Sequence, residues 1–255
     1  MVAVAALAVC FLVGPIVALA VRAPWGTSWK ELSSPEVLEA LRLSLFCSTI
    51  ATVVVVVLGV PLAWVLARVP FPGSRMVRAA TTLSMVLPPV VGGVALLAAF
   101  GRRGIAGRFL DSWFGVQLPF TTAGVIVAEA FVALPFLVVT LDGAFRTMDR
   151  RFEEAAETLG ARRWTVFRRV TLPAVAPSFV AGVVLAWARA LGEFGATITF
   201  AGSFPGRTQT MPLAIYLALE TRPGAANVLS LVLVVVSFGV LVALRDRWTP
   251  ALVAR

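Results

Sequence analysis

The chain has 255 residues, of which 59% are hydrophobic and only 14% charged, against about 25% charged in an ordinary soluble domain. That much apolar surface excludes a soluble globular fold, because a core formed by a chain of this size cannot hide it. The formal charge of +9 invites comparison with a nucleic-acid binder, but its distribution follows membrane topology, so no nucleic-acid partner is expected.

A helix crossing a hydrocarbon core needs about 20 predominantly apolar residues. Six stretches reach that length and predict transmembrane helices near residues 2–21, 43–67, 79–100, 121–141, 174–199 and 224–244, an all-α membrane protein formed as one domain over 1–255. The first stretch has no Lys or Arg before Arg22 and so lacks the positive n-region of a secretory signal; it is expected to be a retained helix. Between the first two helices, Trp25, Trp29 and the start signal Ser34-Pro35-Glu36 suggest an interfacial turn or short helix, since Trp favours the membrane boundary. Phe71-Pro72-Gly73 marks a tight turn. Leu87-Pro88-Pro89 and Gly92-Gly93 are expected to break the third helix, either as a packing kink or as a bend beside a pathway. The fourth helix carries one charge, Glu129, whose role stays open.

With both termini in the cytoplasm, the inner segments are 68–78, 142–173 and the tail after Leu244. They hold thirteen of the 22 basic residues, among them Arg68, Arg75, Arg78, Arg245, Arg247 and Arg255, as the positive-inside rule requires. Arg102, Arg103 and Arg108 fall outside and weaken the bias. Cys10 and Cys47 lie in apolar helices, where a thiol behaves as a small hydrophobe, and suggest neither a disulfide nor a metal site. There is no His, which removes the usual haem ligand and the commonest proton shuttle.

The segment 142–173 is different. Its twelve charged residues place it in water, yet it has helix signals. Asp149 is a candidate N-cap, Glu153 and Glu154 sit toward the positive end of the next helix, and Gly160 supplies a stop. Phe152, Ala155, Ala156 and Leu159 form one apolar stripe at i, i+3, i+4 and i+7. A second short helix over 162–170, with Trp164, Phe167 and Val170, is expected to end at Pro173. Two amphipathic helices outside a membrane need a cover: their own helix ends, the lipid interface, or another protein.

The spacing in this segment resembles the cytoplasmic signature of ABC-importer permeases: Glu154-Ala155-Ala156, three residues, Gly160, nine residues, Val170 in place of Ile, one residue, Leu172-Pro173. The resemblance implies a type I importer architecture in which 142–173 is a coupling helix that docks in a groove of a cytoplasmic ATPase, through Glu153, Glu154, Ala155, Ala156, Leu159, Gly160, Val170, Leu172 and Pro173. It further implies two permease copies as a homodimer, two ATPase subunits and an extracytoplasmic oxyanion-binding protein, in a plasma membrane. ATP and Mg are expected on the ATPase and no cofactor on this chain, which has no P-loop sequence. Phe71-Pro72-Gly73, the run Leu87–Gly93 and Ala188–Thr197 resemble the molybdate, tungstate and sulfate permease group. Sulfate permeases tend to read Val-Gly-Glu-Tyr-Gly-Ser where this chain has Leu191-Gly192-Glu193-Phe194-Gly195-Ala196. Together with Pro205–Tyr216, this favours molybdate or tungstate.

In the fifth helix, Arg189 and Glu193 are spaced i, i+4 and can meet on one face. Arg189 would lie about 22 Å along a helix entered at Ala174, where a charge costs about 2.5–3.5 kcal/mol and so faces protein or a wet cavity. The pair is either an internal neutralisation or, with Gly192, Phe194, Gly195 and Thr197, part of the translocation pathway and its gate, the small residues letting two copies approach. Two rival classes remain. A secondary transporter would use Glu129 and Glu193 as coupling carboxylates but leaves 142–173 without a purpose. An intramembrane enzyme lacks His-Glu-x-x-His, a Cys cluster or any His, and Ser44, Ser48 and Thr49 read as packing residues.

Overall fold

The computed structural model describes residues 1–245; the expected cytoplasmic tail beyond them, with Arg247 and Arg255, lies outside the described residues. Among the described residues all regular structure is helical: α1 (Val2–Arg22), α2 (Trp25–Leu32), α3 (Pro35–Arg68), α4 (Ser74–Val86), α5 (Pro89–Phe100), α6 (Gly107–Phe114), α7 (Thr122–Thr147), α8 (Arg151–Thr158), α9 (Arg163–Val166), a π-helical turn (Phe167–Thr171), α10 (Leu172–Ala174), α11 (Ala176–Leu191), α12 (Gly195–Ala201), α13 (Met211–Thr221) and α14 (Pro223–Arg245). Among the described residues four helices, Val2–Arg22, Pro35–Arg68, Thr122–Thr147 and Pro223–Ala243, are long and apolar enough to cross a membrane, and the bent pair Arg163–Ala174 with Ala176–Leu191 makes a fifth if taken as one span.

The other two expected spans are divided. The stretch 79–100 is split between α4 and α5 at Leu87, whose ψ of 130° leaves the helical region, because the residue before a proline is pushed out of it and Pro89 opens the next helix at its first position. Gly92 and Gly93 do not break anything: both lie buried within α5. The stretch 174–199 is split between α11 and α12 at Gly192–Phe194. The helix expected at 43–67 begins earlier, at Pro35, and the short interfacial helix appears as α2 with Trp25 and Trp29 exposed.

The chain folds as two units. The first joins Met1–Leu45 to Ser203–Val240. Its core is Val37 and Ala40 of α3 against Met211, Ala225 and Leu229. Ser44 does more than pack, since its buried Oγ accepts the Met211 N–H at 2.6 Å and satisfies the first amide of α13. No residue of α1 is buried.

The second unit runs from Phe46 to Gly202 and takes in the end of α14 from Leu241. α7 is its axis: Ala133, Leu137, Val138, Leu141 and Phe145 pack with Ala51, Val55, Ala63 and Leu66 of α3 and with Ala186 and Ala190 of α11. Its other face meets Leu96 of α5 and Ala196 and Phe200 of α12 through Ala128 and Val132. α5 and α12 touch closely. A Cβ on Gly93 would lie 2.5 Å from Thr199 Cβ, and one on Gly195 would lie 2.5 Å from Pro89 Cβ. Gly195, one of the small residues singled out in the sequence, packs here against Pro89 of α5.

Candidate functional site: a surface coupling segment and a buried ion pair

The segment after α7 begins with Asp149, which lies one residue before the N-cap Arg150 rather than at the N-cap itself; its Oδ1 accepts the Arg151 N–H at 3.0 Å and so satisfies the first amide of α8. Gly160 closes the helix with φ +83°. Its N–H donates to Glu157 O at 2.9 Å and the Ala161 N–H to Ala156 O at 3.1 Å, the paired bonds of a Schellman motif. Of the expected apolar stripe, Phe152 is 63% and Leu159 88% exposed, Ala155 is exposed and Ala156 half-buried. No part of the described chain covers this face.

The two carboxylates of the first turn part company. Glu154 is exposed, whereas Glu153 turns inward, where its Oε2 lies 3.2 Å from Arg68 Nη2 and its Oε1 accepts the Thr171 hydroxyl at 2.7 Å. Arg68 and Thr171 were not singled out from the sequence; Arg68 had counted only toward topology, although it is the first charge after a long uncharged run. The second amphipathic helix does not end at Pro173. α9 passes into the π-helical turn, α10 carries Pro173 near its start, and the chain bends by 76° at Val175 into α11. The wide turn precedes a residue that has no N–H and whose ring crowds the carbonyl four positions back. Phe167 stacks on Trp164 at 5.6 Å and meets Trp64 edge-on at 6.4 Å, Val170 is half-buried, and Pro173 is exposed. Leu172 and Phe167 line an apolar groove of about 630 Å³ with Val56, Val60, Trp64 and Phe179.

The second place of interest is the break between α11 and α12. Arg189 Nη2 and Glu193 Oε2 are 2.6 Å apart, with side chains 27% and 1% exposed; the pair expected from the i, i+4 spacing forms. Glu193 has a second task, accepting the Ala196 N–H through Oε1 at 2.8 Å. That amide is one of the unsatisfied donors of α12, so one carboxylate both balances Arg189 and caps the helix after the break. Phe194 is half-buried at the α12 N-cap position, Thr197 is fully buried and Gly192 is exposed. Arg189 also lines a cleft of about 240 Å³ with Pro88, Pro89, Gly92, Phe131 and Phe136. The arrangement places a guanidinium, paired with a carboxylate, on the wall of a cleft beside the proline break. Glu129 is also buried in α7, with Oε2 lacking a hydrogen-bond partner among the described residues.

Residues 56–253 match the family described as binding-protein-dependent transport system inner membrane component. The chain is 51% identical over 229 residues, 90% of its length and 86% of the relative's, to the molybdenum transport system permease protein ModB of Mycobacterium tuberculosis. It is 40% identical to ModB of Escherichia coli, covering 85% of this chain and 94% of that one. It is 36% identical to the sulfate transport system permease protein CysT of Escherichia coli, covering 82% and 76%. In fold it is similar to a chain in the crystal structure of a bacterial ABC transporter involved in the import of the acidic polysaccharide alginate, with a TM-score of 0.76, 17% identity and coverage of 96% of this chain and 91% of that one. The helical architecture, the apolar spans and the segment from Asp149 to Pro173 therefore belong to a multi-pass membrane protein, and the chain is a member of the binding-protein-dependent transport system inner membrane component family.

Proposed function

We propose that this chain is the permease of an ATP-driven importer of molybdate, working as one of two copies in a plasma membrane with both termini cytoplasmic. The observation that carries this is the uncovered stripe of Phe152, Ala155 and Leu159 on a helix that is hydrogen-bonded at both ends and held to the body by Glu153. A large apolar face kept rigid and bare at a membrane boundary is a docking surface, and an amphipathic helix laid in a groove is a standard recognition mode. Its occupant is a cytoplasmic ATPase subunit that binds ATP and Mg, one per permease copy. This chain holds no cofactor. An extracytoplasmic binding protein delivers the anion and sets most of the selectivity.

Closure of the ATPases displaces the α8 segments and turns the pathway outward; release after hydrolysis returns it inward, by rigid-body motion. On the pathway, Arg189 faces the anion. Glu193 partly cancels its charge, so that the anion is met but not trapped. Molybdate is preferred because the more similar relatives carry that name. Tungstate has nearly the same size and charge and is expected to follow the same route; a sulfate reading rests on the CysT relative. Phe152→Asp and Leu159→Asp test the docking reading. Both positions are exposed, so the chain should fold and insert normally, but capture of the ATPase on copurification should fall by about tenfold or more, the loss of one well-packed contact. Undiminished capture refutes it.

A further inference from the structure

The inward turn of Glu153 has a mechanical consequence. No residue of α8 is buried, so apolar packing does not fasten this helix to the rest of the chain. Its fastening is one carboxylate shared between two elements. Oε2 pairs with Arg68, the last residue of α3, at 3.2 Å, with side chains only 8% and 17% exposed. Oε1 takes the hydroxyl of Thr171, the last residue of the π-helical turn, at 2.7 Å. Thr171 is 1% exposed and directly precedes α10 and the bend into α11, the helix that carries Arg189. The end of α3 is gripped a second time, since Arg78 of α4 donates to the Leu66 carbonyl and pairs with Asp142 of α7 at 3.3 Å. A displacement of α8 is therefore passed through Glu153 to the end of α3, and from there to α4 and α7, and through Thr171 to the root of α11.

We propose that Glu153, Arg68 and Thr171 form a transmission joint, in which Glu153 is a positioning residue that converts movement of the surface helix α8 into movement of α3 and α11. Neighbouring Glu154, exposed, is left free for whatever seats on α8. The proposal rests on the docking reading given above. A charge pair with Arg68 and a hydrogen bond from Thr171, both of low exposure, suit this use, because together they hold one geometry and resist sliding as an apolar contact does not; single residues along such networks modulate coupling between distant places.

The test uses the whole importer, this chain with its ATPase and binding protein, in liposomes, and reads molybdate taken up per ATP hydrolysed. Glu153→Gln and Arg68→Gln are expected to lower that yield by about tenfold while ATPase capture and hydrolysis persist. The exchanged pair, Glu153→Arg with Arg68→Glu, restores the charge pair but offers Thr171 no acceptor, and is expected to recover only part of the lost yield, above either single change. A role in folding alone would lower the amount of assembled complex and leave the yield per ATP unchanged. If Glu153→Gln fails to assemble, Thr171→Val, which removes only the donated hydroxyl, decides instead. An unchanged yield in these variants, or an exchanged pair no better than the single changes, overturns the joint. Leu159→Asp runs beside them: if it keeps the ATPase, the docking reading itself is wrong, whereas loss of the ATPase there with full yield in Glu153→Gln refutes the joint alone.

Discussion

The double use of Glu193 makes a graded prediction. Glu193→Gln keeps an oxygen for the Ala196 N–H but removes the charge 2.6 Å from Arg189; Glu193→Ala removes both. A hydrogen bond to a charged group contributes roughly 1.5–3 kcal/mol and a neutral one roughly 0.5–1.5, so the Gln variant should lose roughly 1–2 kcal/mol in the bonds themselves. The Ala variant also loses the cap, about 1 kcal/mol. Both variants leave Arg189 without an anion, and because that side chain is 27% exposed the penalty is well below the roughly 3–5 kcal/mol of a fully buried orphan, about a third of it after solvent screening. The totals are then roughly 2–3 kcal/mol for Gln and roughly 3–4 kcal/mol for Ala. For a chain of this size each kcal/mol moves the melting temperature by roughly 2–4 °C. Thermal melting of the purified chain in detergent should rank the parent above Gln and Gln above Ala, with gaps of several degrees. Equal melting of Gln and Ala would show that Glu193 does not cap α12; parental melting of both would show that the buried pair does not form.

Three further outcomes follow from packing. Gly160→Val forces a β-branched residue to φ +83°, a strain of roughly 1–2 kcal/mol, and should open the end of α8; proteolysis between α8 and α9 should quicken, and unchanged protection would contradict the Schellman closure. Gly93→Ala drives a methyl group into Thr199 and should cost roughly 1–3 kcal/mol as overpacking, recovered in part by Thr199→Gly; denaturation of both variants measures it, and no recovery would mean that α5 and α12 do not meet there. Ser44→Ala leaves the Met211 N–H buried without its acceptor and should cost roughly 1–3 kcal/mol, read as an earlier loss of helical signal on heating.

Much of the surface segment was legible in the sequence because its signals are local. Asp149, Gly160 and the four stripe positions act within one or two turns, and the structure places them as their spacing requires, Asp149 one residue outside the N-cap. The proline break at Leu87 was legible for the same reason. Gly92 and Gly93 misled, since glycine that weakens a helix and glycine that admits a neighbouring helix look alike until Thr199 is known to lie opposite. The break after Leu191 has no proline to announce it; it depends on Glu193 reaching forward to accept the Ala196 N–H, a bond visible only once the helix has ended. Adjacent residues on a helix point about 100° apart, so one of Glu153 and Glu154 had to face home, but which one depended on Arg68, some 85 positions away in sequence. α13, with 11 residues, was too short to register against a span of about 20.

The central claim is that this chain carries molybdate inward at the expense of ATP hydrolysed elsewhere. Liposomes containing the chain with its ATPase, loaded with ATP and supplied with binding protein and molybdate, test it directly. Uptake that requires ATP and persists when an ionophore has collapsed ion gradients is the predicted result. Uptake that collapses with the gradients, or proceeds without the ATPase, would contradict the account and favour a carrier driven through Glu129 and Glu193.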